Sequence, residues 1–351
     1  MAMKFLKVVL NDDSASDSGY YFRDKTSTDE AKLVVVSVPW SVTSDYGRGA
    51  AYAPDAIIDA SDKKDIYDLK RDISHYGSVA TADIDYNIQE CSGRLGHEAE
   101  RIALSLEESD TIGERTHARI ERVNVGFGEM QASVYRQVRR IAKSGKQVAI
   151  VGGDQSVAFG AVKALSEHHK SIGVLNIDAH ADLKHEGVPY TYSHTTVMRN
   201  IAEELSCVTR IVEVGVRDIT HDELAFATAN DKVEIHFSEE LAARRFEGET
   251  WGKICDEICE SLPPKVYISF DIDALKIEFC HNTNSPVPGG MTFDEVVYLV
   301  NRVVATGHTI VGFDITEVVP NLDNVMDANV AARLLGKMIV AALNSVYEKS
   351  E

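Results

Sequence analysis

The strongest constraint on the fold is a series of short, nearly continuous apolar runs rich in β-branched residues. They are AKLVVVSVPW (31–40), QVAIVGGD (147–154), SIGVLNIDAH (171–180), RIVEVGVRD (210–218), KVYISFDID (265–273) and HTIVGFDITEV (308–318). A strand with one wet face alternates apolar and polar residues. A continuous run instead reads as a strand buried on both faces, hence a parallel sheet covered by helices. The helices lie between the runs. GFGEMQASVYRQVRRIAKSG (126–145) closes on Gly145 as a C′ residue. Thr292 and Glu295 have capping-box spacing ahead of an apolar segment. Val330, Leu334, Met338, Ala342 and Val346 repeat four apart and predict one apolar stripe on a last helix from about Asn329 to Tyr347. Strand–helix alternation along the whole chain predicts one three-layer α/β domain over residues 1–351. Residues 1–30 read as an N-terminal extension and 85–125 as helix plus surface loop.

Two of the runs end in acids. One supplies Asp178, His180 and Asp182, the other Asp271 and Asp273. Side chains of extended backbone alternate faces, so each set is expected to project to one side. In open α/β sheets the C-terminal strand ends form the ligand crevice. Four carboxylates and one imidazole meeting there would repel one another without cations, and a pair of divalent metals is the economical solution. Carboxylate oxygens, a single imidazole and no thiolate suit Mn2+ better than a structural zinc site, with Mg2+, Fe, Co and Ni left open. Two ions roughly 3.5–4 Å apart lower the pKa of a shared water toward neutrality.

Charge and composition exclude other classes. Lys and Arg total 36 against 55 Asp and Glu, a net charge of −19. That leaves no basic face for nucleic acid and no polybasic membrane anchor. At 44 % hydrophobic residues the chain still has the balance of a globular protein. No apolar run approaches the ~20 residues of a membrane span, and the N-terminus lacks a secretory h-region because Lys7, Asp12 and Asp13 interrupt it. Five cysteines without a C-x-x-C pair read as free thiols in a reducing, cytoplasmic setting. G-x-G-x-x-G, G-x-S-x-G and G-x-x-x-x-G-K-[ST] motifs are absent, which argues against dinucleotide, serine-hydrolase and phosphate-loop chemistry.

The two acidic segments, with SVTSDYGRGAAYAPDAI (41–57), VGGDQSVAFG (151–160), YTYSHTTVM (190–198), SPVPGGMTFDE (285–295) and GFDITEVVP (312–320), resemble the ureohydrolase family in order and spacing. These are the arginases, agmatinases and their relatives, and the agmatinase-like branch is nearest in length and tone. The resemblance covers about residues 33–345. It implies an arginase-like αβα sandwich with a central, mostly parallel eight-stranded sheet. It also implies two Mn2+ ions, a small cationic guanidino-type substrate cleaved with release of urea, and a homotrimer or homohexamer. Residue by residue, it implies that Asp178 and Asp271 bridge both ions, Asp182 completes the first site, and His180 with Asp273 completes the second. His194 then assists the leaving amine, and Glu317 grips the cationic group, as a carboxylate can through two parallel hydrogen bonds.

Two departures stand out. Where the family motif is G-G-D-H-S, with its histidine on the first metal, this chain has Gln155, an expected weaker ligand. Where the family continues Gly-Leu-Asp-Pro, this chain has Ala274-Leu275-Lys276-Ile277. Ala274 would strain the turn if it needs φ > 0. Lys276 is either a solvated side chain or a charge that helps neutralise the acids. The likeness therefore supports two readings, an active amidinohydrolase and a catalytically weak or inactive relative with an impaired first metal site.

Overall fold

The computed structural model describes residues 19–44, 49–62, 78–108, 112–185, 188–321 and 325–347. Its strands are β1 (Leu33–Val38), β2 (Val79–Thr81), β3 (Gln147–Gly152), β4 (Ile172–Ile177), β5 (Val208–Val216), β6 (Val233–Phe237), β7 (Lys265–Phe270) and β8 (Thr309–Ile315). The six apolar runs are β1, β3, β4, β5, β7 and β8. The remaining two, β2 and β6, are the edge strands of a single sheet ordered β2-β1-β3-β8-β7-β4-β5-β6. Every strand pairing is parallel, which sharpens the expected mostly parallel sheet. The edges escaped the pattern because β2 has three residues and β6, VEIHF, is only half-buried.

The helices are α1 (Ala53–Ser61), α2 (Tyr86–Glu108), α3 (Glu114–Lys143), α4 (Ala158–His169), α5 (Val197–Glu204), α6 (His221–Ala229), α7 (Ser238–Phe246), α8 (Trp251–Glu260), α9 (Phe293–Ala305) and α10 (Met326–Tyr347). They form the two outer layers. Leu33, Val35, Ala149 and Val151 share one core with Ile254 and Ile258 of α8, Leu299 of α9 and Leu334 of α10. Their strand neighbours Val34, Val36, Val148 and Ile150 share the other with Ile102 of α2, Phe127 of α3 and Leu165 of α4. Alternation along each strand thus fills both layers.

Local signals are placed as read in most cases. Gly145 follows α3 at φ +78° and donates to Ala142 O at 3.0 Å. Thr292 and Glu295 make the reciprocal capping box of α9. Residues 86–108 and 114–125 are helical. One expectation fails: Val330, Leu334, Met338 and Ala342 are buried, but Val346 is 38 % exposed. A strict four-residue repeat advances about 40° per step around a helix of 3.6 residues per turn, so its fifth member is about 160° from its first. Ser345 faces the core instead, accepting from Ile310 N at 3.0 Å. Among the described residues no helix is long and apolar enough to cross a membrane.

Candidate metal centre

The sheet order sets five strands side by side, β3-β8-β7-β4-β5. The segments leaving their C-terminal ends carry Gln155, Glu317, Asp271 with Asp273, Asp178 with His180 and Asp182, and Arg217. Residues far apart in sequence therefore meet along one edge of the sheet.

The donor atoms of Asp178, His180 and Asp273 lie within 4.8 Å of one another. His180 Nδ1 is 3.1 Å from Asp273 Oδ2 and 3.5 Å from Asp178 Oδ1. Backbone amides hold the carboxylates: His180 N donates to Asp178 Oδ1 at 2.7 Å, Asp273 N to Asp271 Oδ1 at 2.8 Å, and Ala179 N to Asp273 Oδ1 at 3.1 Å. Asp182 and Asp271 line the same cavity outside this tight trio. The expected cause of convergence needs correction. β4 stops at Ile177 and β7 at Phe270; Asp271 continues the extended backbone, bridged to Thr316, but Asp273 and Asp182 stand on turns beyond the strands. Asp273 sits in a 3-10 turn and Asp182 at φ +52°. Turns, not period-two alternation, aim Asp182 and Asp273. A non-glycine residue in the left-handed region costs about 1–3 kcal/mol, and Asp182 and Glu317 (φ +63°) both bear it.

Burial dominates the electrostatics. It raises the Asp178 carboxyl, with the charge of Asp273 adding to the effect. It raises Asp271, helped by Asp273, Asp178 and Glu317, and Asp182, helped by Asp178. Burial opposes the charged form of His180 as well, yet its hydrogen bonds to Asp178 and Asp273 prevail and push it up to about 12. Burial also works against the Asp273 charge, but His180 holds that carboxyl below its ordinary value. The cluster thus draws positive charge to its centre.

Beneath the acids runs a row of buried polar side chains that the apolar runs concealed. Asn176, Glu213 and Ser269 stand in register on β4, β5 and β7. Asn176 Nδ2 donates to Glu213 Oε2 at 2.7 Å, and Ser269 Oγ to Asp314 Oδ1 at 3.1 Å. Gln155 is fully buried against this row, its Nε2 donating to Asn176 Oδ1 at 2.9 Å and to Ser269 Oγ at 3.4 Å. Among the described residues its buried Oε1 has no hydrogen-bond partner. An orphaned buried acceptor costs about 1–3 kcal/mol, and a cation would satisfy it. The donor set, five acidic or imidazole side chains with one unpaired amide oxygen, fits divalent ions. One polar residue inside each of four apolar runs, Asn176, Glu213, Ser269 and Asp314, was the available signal for the row.

A cavity of about 190 Å3 opens above the acids, lined by His180, Asp182, Asp271, Asp273, His194 and Glu317, with Lys184, Ser285, Val287 and others at its sides. Glu317 accepts from Gln155 N at 2.9 Å and from Asn284 Nδ2. His194 is buried, with Thr43 Oγ1 3.0 Å from its Nδ1. Arg217, unnoticed in the sequence, donates to Asp273 O at 2.7 Å, Val287 O at 3.0 Å and Pro288 O at 3.1 Å, tying the acidic turn to the cavity wall. Ala274 has no positive φ and is buried in the 3-10 turn, so it fits without the strain expected of it. Gly290, at φ +98°, makes the close approach to Ala274 O instead. Lys276 is half-buried and lies outside the cavity lining, so it is not a wall of the acidic site.

The profile of the Arginase family matches residues 31–341. N(1)-aminopropylagmatine ureohydrolase of Thermus thermophilus is 28 % identical over 296 residues, 84 % of this chain and 85 % of that protein. Among solved structures, proclavaminate amidino hydrolase from Streptomyces clavuligerus aligns with a TM-score of 0.72 at 20 % identity, covering 95 % of this chain and 99 % of that one. A Trypanosoma cruzi formiminoglutamase variant with Mn2+ aligns at 0.68 and 16 % identity over 90 % and 94 %. At such identities the structural likeness speaks for the fold alone. The profile, however, spans β1 to α10 and so takes in every strand end that carries an acid of the cluster: the chain belongs to the arginase family.

Proposed function

We propose that the protein is a metal-dependent hydrolase of a guanidino-type C–N bond that releases urea. The observation that carries this reading is the Asp178–His180–Asp273 trio, donor atoms within 4.8 Å, whose members His180 and Asp273 line a cavity together with Asp182, Asp271, His194 and Glu317. Asp178, His180, Asp182, Asp271 and Asp273, with Gln155 Oε1, are the proposed ligands. Two Mn2+ ions would supply Lewis acidity and an activated water; the oxygen-rich donor set supports that metal. Glu317 would hold the guanidinium, its carboxylate oriented beforehand by Gln155 N and Asn284. Water adds to the guanidinium carbon and the C–N bond to the tail breaks. The oxygen leaves in urea, and His194 assists proton delivery to the departing nitrogen, which leaves as the amine. The family likeness also supports a homotrimer or homohexamer.

The test is metal content per chain by mass spectrometry after Mn2+ loading, together with urea release from agmatine, arginine and 4-guanidinobutanoate. About two ions and turnover of one compound support the reading. Gln155 motivates the second reading, a catalytically weak or inactive relative. Absence of turnover in the parent chain, with activity gained by Gln155→His, would establish that second reading.

A further inference from the structure

The acidic cavity contains a cation that neither the ligand set nor the head-group contacts use. Lys184 lines it, and among the described lining residues it is the only Lys or Arg. Its backbone is fixed, since Lys184 N donates to Thr195 O at 3.0 Å and the preceding Leu183 N to the buried Glu223 Oε1 at 3.1 Å. The neighbouring acids are engaged elsewhere. Glu223 Oε2 accepts from Thr220 N at 2.8 Å and from Thr220 Oγ1 at 2.7 Å. Asp218 Oδ2 is 3.9 Å from His180 Nε2. Among the described residues no carboxylate lies within 4 Å of the Lys184 ammonium.

A half-buried lysine with no carboxylate partner among the described residues, on the wall of a small cavity, is a docking point for a ligand's anion. The guanidinium head of a substrate is drawn to the acids. A second cation at its far end would instead meet Lys184, a like charge in a confined, poorly screened space. The cavity, about 190 Å3, is smaller than the ~300–1,000 Å3 of drug-sized pockets and admits only a short molecule. We infer that the substrate is a short linear guanidino carboxylate, paired through its anionic end with Lys184, rather than a dication such as agmatine. This rests on the proposed guanidino hydrolysis and names the class within it. Water cleaves the same C–N bond, giving urea and an amino acid.

The experiment compares kcat/KM of the Mn2+-loaded protein for 4-guanidinobutanoate, 3-guanidinopropanoate and agmatine, in wild type, Lys184→Met and Lys184→Glu. The wild type should favour a guanidino acid over agmatine by at least about 10-fold. Loss of one charge-assisted hydrogen bond should lower kcat/KM for the acid by about 10- to 100-fold in Lys184→Met, mainly through KM. Agmatine should improve in the same variant, and Lys184→Glu should invert the preference. A wild-type preference for agmatine, or equal effects of Lys184→Met on acid and amine, overturns the inference and leaves the hydrolase reading standing. If nothing is hydrolysed, that reading fails and calorimetric binding of 4-guanidinobutanoate and agmatine decides. A preference for the acid that Lys184→Met abolishes upholds the inference, and equal or absent binding overturns it.

Discussion

Exchange of Gln155 is the most informative perturbation of the site, because in the proposed ligand set this residue replaces the imidazole expected at the first metal. Its amide is pinned on one side: Nε2 donates to Asn176 at 2.9 Å and to Ser269 at 3.4 Å, which leaves Oε1 as the free acceptor. With no cation present that oxygen carries the cost of an unsatisfied buried group, about 1–3 kcal/mol. A bound ion recovers this, so Gln155 should contribute about 5- to 150-fold to the affinity of the ion it touches. Gln155→Leu should therefore raise the weaker of two Mn2+ dissociation constants by that factor and leave the tighter one, on Asp178, His180 and Asp273, within about two-fold. Gln155→His should do the reverse, since an imidazole can donate one N–H to Asn176 and turn its other nitrogen to the ion. It should also change selectivity. With Gln155 the first site offers oxygen donors only, which suit Mn2+ and Mg2+, whereas an imidazole favours Zn2+ and Ni2+. Calorimetric titration of metal-stripped protein, with mass spectrometry for stoichiometry and Zn2+ competition for selectivity, reads all three outcomes. If Gln155→Leu binds two Mn2+ ions with wild-type affinities, Oε1 is no ligand and the reasoning is refuted.

Three further outcomes follow from the same geometry. Asn176→Ala removes the partner that orients Gln155 and should weaken the first ion about 10- to 100-fold; unchanged titrations would show that Gln155 needs no such support. Glu317→Gln keeps one acceptor, for Gln155 N, but removes the charge and the oxygen that accepts from Asn284, so kcat/KM should fall about 100-fold or more with metal content unchanged; loss of metal instead would assign Glu317 to the ligand set. Burial raises the Asp314 carboxyl to about 7. A raised acid stabilises the fold below its unfolded pKa, and that contribution is lost as pH rises through the folded value. Metal-stripped protein should therefore lose roughly 4 kcal/mol from this group between about pH 4 and 7. Asp314→Asn should flatten that part of the thermal-stability profile, and an unchanged slope would refute it.

The interior of the sheet was legible because strands buried on both faces leave continuous β-branched runs. Its edges were not: β2 is three residues long, and β6 is half-buried and interleaved with Glu234 and His236. The acids were legible as D-x-H-x-D and D-x-D, but the reason they meet was not. Whether Asp182 faces the cavity depends on a left-handed backbone angle, and nothing in the residue type announces one. The polar row was illegible for a different reason. Asn176 reads as a lone interruption of a strand until register sets it beside Glu213, 37 residues on, and Gln155, 21 residues back. Arg217 likewise has meaning only through the carbonyls of Asp273, Val287 and Pro288, which the loop after β7 brings to it.

Charge separates the two readings of the site better than the ligand substitution does. Asp178, Asp182, Glu213, Asp271, Asp273, Asp314 and Glu317 are buried together near the C-terminal ends of five adjacent strands. Among the described residues His180 is the positive group paired with the acids; Arg217 spends its hydrogen bonds on carbonyl oxygens, and Lys184 lines the cavity without a carboxylate within 4 Å. An unpaired buried carboxylate is costly, so such a cluster persists only with protons or cations among it. Replacing histidine by glutamine exchanges one neutral donor for another and leaves that demand untouched. What Gln155 alters is donor softness, hence which ion is preferred and how tightly. A site that had abandoned metal would be relieved by losing acids, and the four acids and the imidazole proposed as ligands are all in place. Electrostatics therefore favours a retuned metal centre over a vacated one, and the two differ in the number of Mn2+ ions that metal-stripped protein takes up.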